Sequence, residues 1–240
     1  HPDSQYIRRV GDVLPADLRI TDPRFTALTR DIRGHLQANP SCYDLVIVHI
    51  HGVGSSGLNR YATQEFYEHV KGSLRQGGVI VAAVPGGENV LGPELAFLGA
   101  SAQKTLAQVF DHSVLVPGDQ TLILASASPL SGDPRLLRDR FAGLSGSAAI
   151  YPADALLSVF RPQRAQQVQE VYDQVARPGE DLVNRDARPA AHRYGLLLAA
   201  RHGGVSLTGL VGRVARVGVW LLLIPLGAAV VLRWVYLLAH

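Results

Sequence analysis

Two histidines end an apolar segment of the chain, and they are the side chains best placed for proton transfer. The segment runs Tyr43-Asp-Leu-Val-Ile-Val-His-Ile50, and its end carries His49 and His51, followed by Gly52. A neutral imidazole accepts a proton but supplies no negative charge, and glycine does neither. The sequence therefore allows a base at this point, but not an anionic group that would attract a cation.

The same histidines also allow a metal site, which is the weakest interpretation. His35 and His69 could add ligands, but neither stands at a spacing that requires it. The single cysteine, Cys42, excludes a cysteine zinc site and a disulfide framework. Neither a metal nor a cofactor is expected.

Two further polar positions allow a ligand as well as a plainer explanation. Asp31, within Thr29-Arg-Asp-Ile-Arg33, is either a ligand contact or a solvated acid that caps a helix. The loop Gly86-Gly-Glu-Asn89 could surround an anion, but a loop leaving a strand needs glycine for its geometry alone. A net charge of +3 that is not gathered in one stripe does not predict nucleic-acid binding.

The elements that must position these residues alternate as in an α/β fold. A content of 47% hydrophobic and 18% charged residues excludes a disordered chain. The expected elements are a strand at 43–50 buried on both faces, a helix at 63–74 capped by Thr63, a strand at 79–84, a helix at 95–110, and a hairpin with strands at 114–117 and 121–124. Residues 129–178 are expected to be helical.

A long apolar stretch closes the sequence and predicts a transmembrane helix. Val217 to Leu232 carries no charge, and only Arg233 interrupts its continuation, so the stretch reaches about 23 residues, enough to span a bilayer. Arginines precede the stretch and almost nothing basic follows it, which predicts that the globular part is cytoplasmic. The residues expected to contact membrane or partner are Gly218, Trp220, Pro225, Gly227, Arg233 and Trp234.

Three motifs follow one another along the chain: Tyr43-Asp-Leu-Val-Ile-Val48, Leu58-Asn-Arg-Tyr-Ala-Thr-Gln-Glu-Phe-Tyr67 and Leu74-Arg-Gln-Gly-Gly-Val79. Together they resemble the spermidine synthase family. The closest branch is bacterial and membrane-fused. Pieces similar to Asn59-Arg-Tyr61, Gly87-Glu-Asn-Val-Leu-Gly-Pro-Glu-Leu95 and Asn184-Arg-Asp-Ala-Arg-Pro189 recur there.

The resemblance implies a partial Rossmann-like sheet of the S-adenosylmethionine-methyltransferase kind. It also implies transfer of an aminopropyl group from decarboxylated S-adenosylmethionine to an amine. This chemistry needs a Gly-rich turn, a ribose-binding acid and a pair of aspartates. The turn and the acid are expected to lie before His1, and His49-Ile-His-Gly52 replaces the aspartates. Asp31 aligns with the aspartate that, in related enzymes, meets the adenine amino group.

These departures predict a non-catalytic, membrane-anchored subunit of a membrane protein complex, with His49 and Gly52 as degenerate positions. Asp31 is the one expected cofactor contact, provided that the fold still binds a nucleoside. The alternative is an aminopropyltransferase or methyltransferase-like enzyme whose nucleotide-binding half lies outside this chain, with His49 or His51 as base. The expected partners are the membrane and other subunits of the complex, and no nucleic acid.

The expected organisation has four parts. They are a truncated spermidine-synthase-like Rossmann domain at 1–128, a helical appendage at 129–183, a juxtamembrane segment at 184–212 and the transmembrane helix at 213–240. The expected location is the inner (cytoplasmic) membrane of a bacterium, with the globular domain on the cytoplasmic side.

Overall fold

Helices alternate with strands along the chain, as expected for an α/β fold. The computed structural model describes residues 13–15, 22–28, 30–50, 56–87, 91–175, 181–202 and 233. The elements of the sheet region are α1 Ile32–Ala38, β1 Tyr43–His49, α2 Ser56–Asn59, α3 Gln64–Ser73, β2 Leu74–Pro85, α4 Pro93–Ala107, β3 His112–Val116 and β4 Gln120–Ser126. The later helices are α5 Pro134–Ala142, α6 Ser147–Ile150, a 3-10 turn Ala153–Ala155, α7 Leu156–Val159, α8 Pro162–Val175 and α9 Ala190–His202.

The four strands within the described residues form one mixed sheet in the order β1-β2-β4-β3. β1 and β2 are parallel, with Val46 opposite Ile80, and α2 and α3 connect them. The hairpin then folds back so that β4 is antiparallel both to β2 and to β3. The sequence therefore predicted the hairpin correctly, and the parallel pair ahead of it is the Rossmann-like part of the sheet.

The main core lies between this sheet and the helices that cross it. Val70 of α3, Ile80 of β2 and Ile123 of β4 have no exposed surface, and they belong to one cluster with Phe66 and Leu106. Burying each aliphatic side chain of this kind contributes about 1.5 to 3 kcal/mol. The apolar spacing along α3 therefore fixes which of its faces meets the sheet.

β1 is less buried than its apolar sequence predicts. Within the described residues it pairs only with β2, and it forms one edge of the sheet. Leu45 is 52% exposed and Ile47 is 65% exposed. The prediction of a strand covered on both faces is therefore wrong for the described part of the chain, because one edge and one face of β1 have no neighbour there.

A second layer packs α8 and α9 against α4. Phe97, Val168, Tyr172 and Leu182 form its core. Gly99 makes this packing possible, because a Cβ there would overlap the ring and hydroxyl of Tyr172. The predicted helical character of the region after β4 is confirmed by α5 to α8.

The predicted fold class needs a correction at its C-terminal end. No helix within the described residues is both long and apolar enough to cross a membrane, so a sheet with a C-terminal transmembrane helix is not what the structure shows. Apart from Arg233, the residues of the predicted span at 213–240 lie outside the described part of the chain.

Candidate functional site

Helices α1 and α3 both begin on the side of the sheet where β1 ends. The backbone N–H groups of Ser41 and Cys42 donate to the carbonyls of Gly72 and Ser73, at 3.0 and 2.8 Å, so the end of α3 lies beside the start of β1. A helix of ten residues is about 15 Å long, and α3 therefore begins near the end of β1. Ligands of open α/β sheets bind at this carboxyl edge.

The candidate base stands at this edge. His49 is the last residue of β1, and its side chain is exposed. Gly52, the second position expected to be degenerate, lies outside the described residues, as does His51. Within the described residues no three histidine, cysteine or acidic side chains are grouped to hold a metal ion.

Asp31 also lies at this edge, at the N-cap position of α1. An aspartate at an N-cap usually accepts a hydrogen bond from the first turn of its helix, yet the Asp31 side chain makes none. Its carboxylate instead lies 3.5 Å from the Arg60 guanidinium, and both side chains are about half exposed. The structure therefore does not support the capping explanation, and the Asp31 carboxylate is left accessible to a ligand.

Arg33 joins three segments of the chain at this edge. Its guanidinium donates two hydrogen bonds to Asp186, at 2.5 and 2.8 Å, and one to Thr63 Oγ1 at 2.8 Å. It also donates to the backbone carbonyl of Arg60. Arg33 is only 14% exposed and holds the pKa of Asp186 below its usual range. The start of α1, the start of α3 and the segment after α8 are thereby tied together.

Asn184 makes a second, fully buried connection. Its side-chain nitrogen donates to Asn59 Oδ1 at 3.1 Å and to the carbonyl of Ala62 at 2.9 Å. Its backbone N–H donates to Thr105 Oγ1 at 2.9 Å, and its side-chain oxygen accepts from Ala191 N at 3.2 Å. Two motifs that the sequence analysis singled out, at 59–61 and 184–189, thus contact each other directly.

A small apolar cavity lies under this edge. Its volume is ≈ 40 Å³, room for one or two waters and far below the roughly 300–1,000 Å³ of a ligand pocket. Its lining includes Val48, Ile50, Tyr67, Val84, Ser101 and Asn184. This cavity is therefore too small for a nucleoside.

Sequence reasoning identified Asp31 and His49 but missed the residues that hold this edge together. Arg33, Asn59 and Asp186 were present in the quoted motifs, but nothing in the sequence indicated that they meet. Arg233 is exposed and helical. The other residues expected to contact membrane or partner lie outside the described part of the chain: Gly218, Trp220, Pro225, Gly227 and Trp234.

The chain is similar in sequence to a polyamine aminopropyltransferase. Over 99 residues it is 33% identical to polyamine aminopropyltransferase 2 of Pseudomonas aeruginosa, a match that covers 40% of this chain and 28% of that protein. The chain thus spans less than a third of the curated relative that it matches. No protein-family model matches the sequence.

Solved structures of spermidine synthases are also similar to the chain. One is a probable spermidine synthase from Corynebacterium glutamicum, with 15% identity, a TM-score of 0.47, and coverage of 75% of this chain and 62% of that one. Another is spermidine synthase from Thermotoga maritima, with 14% identity, a TM-score of 0.45, and coverage of 63% and 52%.

The sequence match corrects one expectation. A non-catalytic protein was predicted, but the matched relative is an aminopropyltransferase, so the similarity points to an enzyme family. A structural role and a membrane anchor find no support in this match. The resemblance proposed from the motifs is supported, because the chain is similar in sequence to a polyamine aminopropyltransferase.

Proposed function

We propose that this chain takes part in an aminopropyl-transfer reaction at the carboxyl edge of β1. The observation that carries the proposal is the 33% identity to a polyamine aminopropyltransferase. The geometry adds to it, because His49 and an uncapped Asp31 carboxylate belong to the same edge of the sheet.

Asp31 and His49 have separate tasks in this proposal. The Asp31 carboxylate accepts a hydrogen bond from the exocyclic amino group of the adenine in the donor. The acceptor nitrogen attacks the aminopropyl carbon that is bonded to the sulfonium sulfur. A C–N bond forms, and the bond between that carbon and the sulfur breaks. The C–S electrons stay on sulfur, methylthioadenosine leaves, and the attacking nitrogen passes its proton to the imidazole of His49.

A histidine base changes what the site requires of its amine. A pair of aspartates would attract a cationic amine, whereas a neutral imidazole attracts it weakly. We therefore expect the acceptor to react in its neutral form, so that the rate rises with pH as more of the amine is deprotonated.

The test is product formation by the purified chain and two histidine variants. The chain is incubated with decarboxylated S-adenosylmethionine and putrescine, and methylthioadenosine is measured by chromatography. We expect His49→Ala to lower the rate by about 10²-fold or more. His112→Ala, an exposed histidine at the start of β3 on the opposite edge of the sheet, should keep the wild-type rate. Equal rates in the two variants would show that His49 is not the base of the reaction.

A further inference from the structure

We propose that Arg33 and Asp186 form the positioning device of this edge: their ion pair fixes the Arg60 segment, and through it presents the Asp31 carboxylate to the ligand. The inference rests on the proposed function for the identity of the ligand, a nucleoside. It assigns roles to two residues that lie within the quoted motifs but were given no role there.

The contacts of Arg33 make it a clamp between separate parts of the chain. Its guanidinium bonds both carboxylate oxygens of Asp186, which lies 153 positions further along the sequence. The same group donates to the Arg60 carbonyl and to Thr63 Oγ1. A planar guanidinium holds several acceptors in a fixed geometry, whereas a lysine ammonium does not.

Asp186 also has contacts other than Arg33. Thr63 Oγ1 bonds its Oδ1 at 2.8 Å, and its backbone N–H donates to Glu65 Oε2 at 3.0 Å. The neighbouring Asn184 is buried against Asn59 and Ala62. The Asp186 carboxylate is therefore a fixed acceptor, on which the flexible arginine side chain becomes ordered.

Arg60 is the link between the clamp and Asp31. The clamp restrains its carbonyl, while its guanidinium lies 3.5 Å from Asp31 Oδ1 and 5.4 Å from the centre of the Tyr61 ring. An exposed ion pair of this kind contributes little to stability, so a ligand that bonds to Asp31 can displace it. The clamp keeps the backbone in place during that exchange.

The experiment measures methylthioadenosine binding by calorimetry in the purified full chain and its variants. Asp186→Asn and Arg33→Lys should each weaken binding about tenfold, because a displaced segment no longer presents Asp31 correctly. Asp186→Glu, which keeps the charge and both oxygens, should restore most of the affinity. The matched control is Asp181→Asn. Asp181 belongs to the same segment and also pairs with arginines, at 2.6 and 3.2 Å, but those arginines are Arg185 and Arg188.

Each outcome separates the clamp from the proposed function. If Asp31→Asn weakens binding while Asp186→Asn binds like wild type, the clamp is wrong and the nucleoside site stands. If the wild-type chain binds no nucleoside, the proposed function fails. The clamp is then tested separately, by amide hydrogen exchange. The Tyr61 and Ala62 amides, which bond to the carbonyls of Leu58 and Asn59, should then exchange faster in Asp186→Asn. Unchanged exchange at both amides would overturn the clamp.

Discussion

At the scale of single residues, the buried amide of Asn184 holds the carboxyl edge together. Only 1% of Asn184 is exposed, and its side chain donates to two oxygens and accepts one backbone N–H. A buried polar group left without partners costs about 1 to 3 kcal/mol. The amide therefore contributes to stability because two of its partner residues, Asn59 and Ala191, are themselves buried away from water.

Asn184→Asp is the sharpest test of this amide, because it changes the hydrogen bonds and hardly changes the volume. The new carboxylate cannot donate to Asn59 Oδ1 or to the Ala62 carbonyl, and it carries a charge into a buried place. We expect a loss of about 2 to 4 kcal/mol in the free energy of unfolding, measured by urea denaturation at neutral pH. Gln76→Ala, the removal of an exposed amide, should be nearly neutral. A loss below about 0.5 kcal/mol in Asn184→Asp would contradict the account.

At the scale of elements, the sequence predicted the sheet region well. Thr63 was expected to cap a helix at 63–74, and the helix runs Gln64–Ser73 with the Thr63 side chain accepting from Phe66 N. The hairpin strands were placed within a few residues of their observed ends. Apolar periodicity and turn residues are local signals, so elements that depend on them can be predicted from one sequence.

Features set by tertiary contacts were not predictable in this way. β2 starts at Leu74, five residues earlier than expected, because Leu74 pairs with Tyr43 across the sheet. The exposure of β1 depends on which neighbours are present. The Arg33–Asp186 clamp joins residues 153 positions apart and has no local signature.

The contact between α4 and α8 yields a prediction at the element scale. Gly99→Ala places a methyl group inside the Tyr172 ring, so the buried Tyr172 side chain or one of the two helices must shift. We expect a loss of about 1 to 3 kcal/mol, measured by thermal and urea unfolding.

Gly34→Ala is the matched control for this prediction. Gly34 also lies within a helix, but nothing stands within 4 Å of its added Cβ. The change should be neutral or stabilise by up to about 1 kcal/mol, since alanine favours helix more than glycine does. Equal effects of the two substitutions would show that the contact between α4 and α8 is not as close as described.

At the scale of the whole molecule, aspartates with lowered pKa values make the folding stability depend on pH in the acid range. Arg33 holds the pKa of Asp186 below its usual range, and the Val183 N–H does the same for Asp181. Because these pKa values are lower in the folded state, the unfolded chain binds more protons in acid. The stabilisation is complete above the ordinary carboxyl value of 3.8 and is lost as the pH falls through the lower folded values.

We therefore expect the melting temperature to be nearly constant from about pH 7 to 5 and to fall below about pH 4. Asp186→Asn should lower the melting temperature at neutral pH and flatten its fall in acid. Asp44→Asn, at a carboxylate that is 78% exposed, should keep the wild-type profile. If the melting temperature falls as steeply below pH 4 in Asp186→Asn as in wild type, Asp186 does not contribute to the acid dependence.

The predicted location in the inner membrane, the membrane and complex partners, and the four-part division of the chain stay predictions. These predictions rest on the asymmetric distribution of arginines and on the apolar run. Most of the residues concerned lie outside the described part of the chain. The similarity to an aminopropyltransferase covers 40% of the chain and supports a relation to that enzyme class.

The most direct test of the central claim is the stoichiometry of the products. The purified chain is incubated with decarboxylated S-adenosylmethionine and putrescine, and mass spectrometry follows methylthioadenosine and spermidine over time. Aminopropyl transfer predicts that both products accumulate in equal molar amounts, above a control without protein. Accumulation of neither product, or of methylthioadenosine without spermidine, would contradict it.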